Sequence, residues 1–396
     1  MKSNISSIDS NIWKLFVLRG LSFAWFPIPT IILFYQSHGL NLEQAVLLKT
    51  ILSLSFLLFE VPSGYVADKF GRKFCLISGS GVWIVAWLLY CAGNAFSIFA
   101  IAEILAGIAG SLISGADTAI AYETLLQTGK ASYYRTLEGR LVAIAGITEA
   151  VCGIIGATVA EIDLVIPFYL QTVCIVLYFC LAVTLVEPQR DSLAKERSRV
   201  ENLKSIIIEV FISRPNLRWL IALSSTFSAA TFLIVWLSQD YLKQIDVAIA
   251  AMGWAWAVFH LLMSVASVNA RRLETAWGMK KTMLLLVFSL GIAYTLLGSI
   301  NNIGGIVLIG AIYIVRGLCS PLILNAINQQ VSSSIRATVL SLKSFAFRLS
   351  FALIAPIVGA IASGYSLSVA LMVSGCYFLL AGSLFWWLLV RLKVIK

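Results

Sequence analysis

The sequence predicts an all-α integral membrane protein, with twelve transmembrane helices in two pseudo-symmetric bundles of six. Three observations carry that prediction. The chain of 396 residues is 60% hydrophobic and only 12% charged, with a mean hydropathy of +0.92, whereas a soluble domain carries about 25% charged residues. Apolar runs of about 18 to 28 residues recur from end to end, each long enough to cross a hydrocarbon core of roughly 30 Å at about 1.5 Å per residue. The runs divide six and six about one long polar break, Glu187 to Pro215.

Charged breaks delimit spans 1 to 6 at roughly 13–35, 43–66, 73–93, 97–125, 135–160 and 164–187. Spans 7 to 12 follow at 216–241, 248–270, 280–298, 303–330, 337–361 and 366–390. The first run, from Trp13 to Tyr35, is too long for a signal-peptide core and no small-residue cleavage site follows it, so it is expected to stay as a span. Lysine and arginine are retained on the cytoplasmic side. They collect in one set of breaks: Lys69, Arg72 and Lys73; Lys130 and Arg135; Arg190 through Arg218; Arg271, Arg272, Lys280 and Lys281; Arg336; and Arg391, Lys393 and Lys396. The other set holds only Lys49 and Lys243, beside Glu43, Glu161, Asp163, Asp240 and Asp246. Both termini are therefore expected in the cytoplasm.

Composition also excludes several functions. A net charge of +10 suggests nucleic acid only if the basic residues share a soluble face, and here they lie scattered between apolar spans. Seven cysteines, none in a CxxC pair and most within apolar runs, read as small buried hydrophobes, so neither a metal site nor a cofactor is expected. With two histidines in the chain and no clustered nucleophile and base, an enzyme is not expected.

The domain reading is a first bundle at 1–187, a cytoplasmic linker at 188–215 and a second bundle at 216–396. Within the linker Leu203, Ile206, Ile207, Val210 and Phe211 recur at helical spacing beside Lys204 and Glu209. An amphipathic helix on the membrane surface fits that pattern, with a linker that only looks periodic as the alternative. The halves echo each other, as in duplicated transporters. "RTLEGRLVAIAGITEAVCGIIGA" from Arg135 and "RATVLSLKSFAFRLSFALIAPIVGA" from Arg336 both open on arginine and close on a glycine-alanine tail.

Between spans 2 and 3 lies "GYVADKFGRK", Gly64 to Lys73, and after span 8 a worn counterpart, "ARRLETAWGMKK", which keeps the glycine and a basic pair but lacks the aspartate. Physically, Gly64 admits a close helix approach and Gly71 a tight reversal. The motif, the six-and-six division and the central break together resemble the major facilitator superfamily over the whole chain. "FEVPSGYVADKFGRK" and "SGADTAIAYETL" bring the chain nearest to a bacterial efflux-like, drug/proton antiporter-like subgroup. Two departures stand out: "EILAG" places Glu103 where drug exporters often have arginine, and Gly153-Ile-Ile-Gly156 lacks their proline.

The resemblance implies that Gly64, Asp68, Lys69, Gly71, Arg72 and Lys73 form a conformational latch. Asp68 would sit at the N-terminus of span 11, near Arg336 and Ala337, when the cytoplasmic side is closed. Arg72 would reach a carboxylate at the cytoplasmic end of span 4, for which Glu123 is best placed. A mere topology anchor explains Lys69 and Lys73 but neither glycine nor Asp68.

Charges at membrane depth cost about 2.5–3.5 kcal/mol each on insertion scales and normally find partners. Arg19 and Glu60 both lie roughly 9 Å inside the cytoplasmic end and form one expected pair. Arg140 and Asp117, at matching shallow depth, form another. Glu149 and His260, near the middles of spans 5 and 8, form the expected proton-coupling constellation, with Glu103 and Asp117 as further proton sites. No basic residue is expected at the periplasmic depth of Glu103. Glu103 and Asp117 lie about four turns apart and are expected to project from one face of span 4, with Gly107, Gly110 and Ser114 along it. Arg316 and Arg348 near mid-membrane, with no acid of the second half at their depth, point to an anionic or zwitterionic substrate; Arg19, Glu60 and Glu149 complete the expected substrate site. Trp25, Phe26, Trp236, Trp254 and Trp256 are candidate pocket aromatics, although most of the tryptophans read as interfacial or packing residues. Pro27 and Pro29 are expected to kink span 1.

The expectation is a monomeric secondary transporter in the bacterial inner membrane, taking a small-molecule substrate and protons within the lipid bilayer and binding no nucleic acid. Proton-coupled export of an amphiphilic or zwitterionic compound by alternating access is the first reading. Uptake of a small anionic metabolite, peptide-like compound or metal chelate is the alternative.

Overall fold

The computed structural model describes residues 8–188 and 214–395, so the amphipathic stretch expected at 203–211 lies outside the described residues. Its helices are α1 Asn11–Ser22, α2 Ile31–Ser37, α3 Leu42–Phe70, α4 Arg72–Ala92, α5 Phe96–Ile113, α6 Ala116–Gln127, α7 Tyr134–Ala160 and α8 Ile166–Val183. After the linker come α9 Pro215–Gln244, α10 Ile249–Ser299, α11 Gly304–Asn328, α12 Ser333–Gly364 and α13 Leu367–Arg391. Among the described residues no strand is present, and 10 helices are long and apolar enough to cross a membrane. The 51-residue α10 is two spans joined at Gly278, whose φ of 76° interrupts the helix. Span 1, divided between α1 and α2, supplies the remaining crossing. The twelve-helix expectation therefore holds. Large apolar side chains such as Val61 (69% exposed), Leu380 (72%) and Val268 (82%) face outward, an arrangement suited to lipid rather than water.

Local chemistry sets the boundaries. Asn41 and Gln44 bond reciprocally, the Gln44 N–H to Asn41 Oδ1 at 2.9 Å and the Asn41 N–H to Gln44 Oε1 at 3.1 Å, which opens α3 as a capping box does. Gly71, at φ 115°, ends α3 and reverses the chain into α4 within one residue, a backbone glycine alone adopts cheaply.

Two spans that the sequence reads as continuous are broken. Span 1 stops at Ser22 and resumes in a 3-10 turn at Ile28–Thr30. The break begins at Phe23, ahead of Pro27 and Pro29, rather than as a simple kink. Span 4 stops at Ile113 and restarts at Ala116 through Gly115, at φ 84°. The restart changes the helical phase, so Glu103 and Asp117 do not belong to one continuous face.

The described residues fall into two compact units, one within 1–40, 48–193 and 248–257, the other within 41–47, 194–247 and 258–396. In the first unit, α4 packs against α5 and α8. Asn11, fully buried, ties α1 to the end of α8: its amide donates to the Val186 carbonyl at 2.8 Å and accepts the Val186 N–H at 3.0 Å. In the second unit, α9 runs through the centre against α11, α12 and α13. Tyr294 closes that packing by donating to the Ala230 carbonyl at 2.5 Å.

Candidate functional site

The two broken spans of the first unit meet through charge. Arg19 occupies the last turn of α1 and Asp117 the first turn of α6. A helix favours a cation at its C-terminus and an anion at its N-terminus, so each break stabilises the charge it carries. The Arg19 guanidinium lies 3.1 Å from Asp117 and 4.0 Å from Glu138 of α7. Asp117 Oδ1 also accepts the Thr118 N–H at 2.7 Å. Beside the pair a cavity of about 10 Å³ is lined by Leu15, Leu18, Ser22, Leu141 and Tyr178, room for about one water.

This geometry corrects two expected pairs. Arg19 pairs with Asp117 and Glu138 rather than Glu60, and Arg140 donates to the Tyr133 hydroxyl at 2.7 Å rather than meeting Asp117. Counting residues from a helix end gives depth but not azimuth, and the restart at Gly115 turns Asp117 to a different neighbour.

A second constellation lies deeper. Glu103 of α5 is 1% exposed and Lys49 of α3 2%, and the two form an ion pair. Tyr35 of α2 donates to Glu103 at 2.6 Å and its hydroxyl stands 3.3 Å from that of Tyr90 on α4. The Lys49 ammonium also lies 5.1 Å from the centre of the Tyr35 ring. The expectation that no basic residue shares the depth of Glu103 is thus corrected: Lys49 supplies one, because it sits within α3 rather than in the break before it. Gly107, one turn along from Glu103, is committed to packing, since a side chain there would collide with Ser55 and the backbone at Phe56.

At the loop between α3 and α4 Arg72 reaches Asp68 at 3.3 Å and Glu123 at 3.6 Å. Lys69 lies over the rings of Tyr65 and Phe70, at 5.7 and 5.3 Å. Gly64 does not serve the close helix approach expected of it, for a methyl group there would meet nothing within 4 Å. The sequence reading missed Glu187. Its two carboxylate oxygens accept the backbone N–H groups of Arg72 at 2.8 Å and Lys73 at 2.7 Å, satisfying two of the donors a helix start leaves open. The available signal was an acid placed immediately before Pro188, where the span ends.

Glu149, half-buried on α7, and His260 on α10 belong to different units. In the second unit His260 packs beside Tyr313, with ring centres 5.6 Å apart. Arg316 of α11 and Lys343 and Arg348 of α12 are all partly buried, and neither helix contains an acidic residue. Lys343 is a further residue that sequence reasoning missed. Among the candidate aromatics, Trp25 packs on Trp83 and Trp87 at 5.7 and 6.4 Å, Phe26, Trp236 and Trp256 are buried, and Trp254 is 61% exposed.

Residues 15–335 match the Major Facilitator Superfamily profile. Quinolone resistance protein NorA of Staphylococcus aureus (strain MRSA252) is 24% identical over 265 residues, 66% of this chain and 66% of that protein. The chain thus spans just under two thirds of the length of the curated relatives it matches. Among solved structures, nucleoside transporter NupG aligns with a TM-score of 0.78 at 13% identity, covering 95% of this chain and 98% of that one. A POT family transporter in complex with 5-aminolevulinic acid aligns with a TM-score of 0.75 at 11% identity, covering 98% and 97%. At such identities the structural likeness is one of fold. With the profile match extending over most of twelve apolar spans, the chain belongs to the Major Facilitator Superfamily and is a multi-pass membrane protein.

Proposed function

We propose that this transporter exports a small amphiphilic compound bearing a carboxylate or similar negative charge, alone or within a zwitterion, in exchange for protons. The observation that carries the reading is the charge of α11 and α12, on which Arg316 and Lys343 are partly buried and no acidic residue occurs. Cations at membrane depth need a counter-charge, and a substrate that supplies one is bound where it is needed. NorA is named for quinolone resistance, and quinolones carry a carboxylate, so this substrate class is the one to try first. In this reading the coupling proton is taken up by a carboxylate of the first bundle, from among Glu103, Asp117 and Glu149, with His260 modulating it. Arg19, Glu60 and Glu149 face the substrate alongside the cations. The bundles 1–187 and 216–396 rock about the site as a monomer in the bacterial inner membrane, both termini in the cytoplasm and the loop at 64–73 with Glu123 latching the cytoplasmic side.

The test is growth protection of an efflux-deficient bacterium against matched cationic, neutral, anionic and zwitterionic toxic compounds, a fluoroquinolone among them. The expected result is protection confined to the last two groups and lost in Arg316→Gln at normal protein level. Protection against cations alone would overturn the substrate assignment.

Uptake is the second reading, favoured by one observation. The proline-free Gly153 and Gly156 of α7 serve packing, since side chains there would collide with Trp256 and Pro29 and with the Phe26 backbone. Everted vesicles separate the two readings: an exporter accumulates labelled fluoroquinolone when the interior is acidified, whereas an importer loses it.

A further inference from the structure

We propose that Asp117 and Glu138 together form a one-proton site, a single exchangeable proton held by two carboxylates around the fixed positive charge of Arg19. The proposal deepens the proton-coupled reading above and rests on it for its role in transport, though not for the binding of the proton itself.

The first argument is charge. One guanidinium serves two carboxylates, at 3.1 and 4.0 Å, so the ionised group carries one surplus negative charge in a partly buried setting. The Lys49–Glu103 pair has no such surplus. Binding one proton brings the Arg19 group to neutrality, the state that costs least away from water. No other ion is required, and a metal cation would be repelled by the guanidinium.

The second argument is satisfaction of hydrogen bonds. Asp117 holds the arginine through Oδ2 and the Thr118 N–H through Oδ1. Glu138 lies at the limit of the guanidinium through Oε1, and its Oε2 is sheltered from solvent with no hydrogen-bond partner. A sheltered carboxylate oxygen without a donor is costly, and a proton placed on it removes the charge responsible. The one-water cavity beside Arg19 and Asp117 offers a relay into the group.

Arg135, one turn before Glu138 on α7, is exposed to solvent, which screens its charge. The facing groups are phenols: Tyr122 of α6, Tyr134 of α7 and Tyr178 of α8. The neighbouring charges are engaged elsewhere. Lys14 of α1 bonds the Thr184 carbonyl, Arg72 of α4 holds Asp68 and Glu123, and Arg140 of α7 holds Tyr133. Because Arg19 and Asp117 stand at the ends of two broken helices, a proton that weakens their pair loosens α1 from α6 at the joint between them.

Infrared titration of the purified full-length protein tests the site without a transported substrate, the proton being the probe. The wild-type spectrum is expected to show a protonated-carboxyl stretch that titrates reversibly. Glu138→Gln and Asp117→Asn should each remove that band, and Arg19→Gln should move its midpoint upward by about one pH unit or more, while Arg19→Lys leaves it near the wild-type value. Bands of unchanged amplitude and midpoint in both carboxylate variants, with each variant monodisperse, would overturn the proposal. If the band behaves as expected but a pH gradient drives no transport, the one-proton site stands and the proton-coupled reading falls.

Discussion

The loop at 68–73 and its counterpart at 275–281 share a backbone and little else. Both turn on a glycine of the same conformation, Gly71 at φ 115° and ψ 158°, Gly278 at φ 76° and ψ 156°. Around Gly71, Arg72 bridges Asp68 and Glu123 while Glu187 closes the start of α4. Around Gly278, Thr275 stands in the place of Asp68 and turns back to the Arg272 carbonyl at 2.9 Å. Met279 stands in the place of Arg72, and Ile395, four residues past its helix as Glu187 is past α8, is buried at 3%. Duplication thus preserved the reversal that topology demands in both halves. Both loops keep basic residues, Lys73 in one and Lys280 and Lys281 in the other, but the ion pairs and the carboxylate cap described above belong to the Gly71 turn.

Substitutions in matched pairs test that division. The largest expected effect is on turnover: Arg72→Gln removes both ion pairs and should slow transport about fivefold, since the two partly exposed pairs together are worth on the order of 1 kcal/mol. Met279→Gln should leave transport within twofold in the same vesicle assay; equal slowing by the two would end the comparison. Next, Gly71→Ala and Gly278→Ala should each cost about 1–3 kcal/mol of stability, because their combination of positive φ and extended ψ is essentially confined to glycine. Thermal unfolding should show the two losses to be similar, and a loss confined to one glycine would mean the turns are not equivalent. Glu187→Gln weakens charge-assisted bonds to two N–H groups and should cost about 1 kcal/mol, measured the same way and compared with a neutral Ile395→Leu. The smallest structural effect belongs to Asp68→Asn, whose partly exposed i,i+4 pair is worth about 0.3–0.5 kcal/mol. Its expected signature is slower turnover with substrate binding intact, and normal turnover would remove Asp68 from the latch.

Much of the architecture is legible in the sequence because it is written in long runs. Twelve apolar spans, a central break and a repeated glycine turn survive an error of several residues at any boundary. The site is legible only in composition. Arg19, Glu103 and Asp117 stand out as charges at depth, and Arg72 and Glu123 through the loop motif, but partner choice depends on azimuth, and azimuth is lost wherever a span restarts, as at Gly115. Lys49 reads as part of a loop because basic residues mark breaks, and the acid that holds it lies 54 residues away in sequence. Glu138 attracts no notice because it lies one turn from the start of its span. Glu187 falls where a span and the linker meet, so its service to α4 is visible only once α8 is set beside that helix.

The Lys49–Glu103 pair has a consequence for how this sequence can change with time. Deleting either member strands the other in a buried setting, at a cost of about 3–5 kcal/mol, whereas replacing both with well-packed apolar residues is often nearly neutral. Single-step descendants lacking one charge should therefore be rare, and lineages should inherit the two positions as a unit or discard them together. Tyr35, whose hydroxyl depends on that carboxylate, should drift to phenylalanine only in those that have let both go.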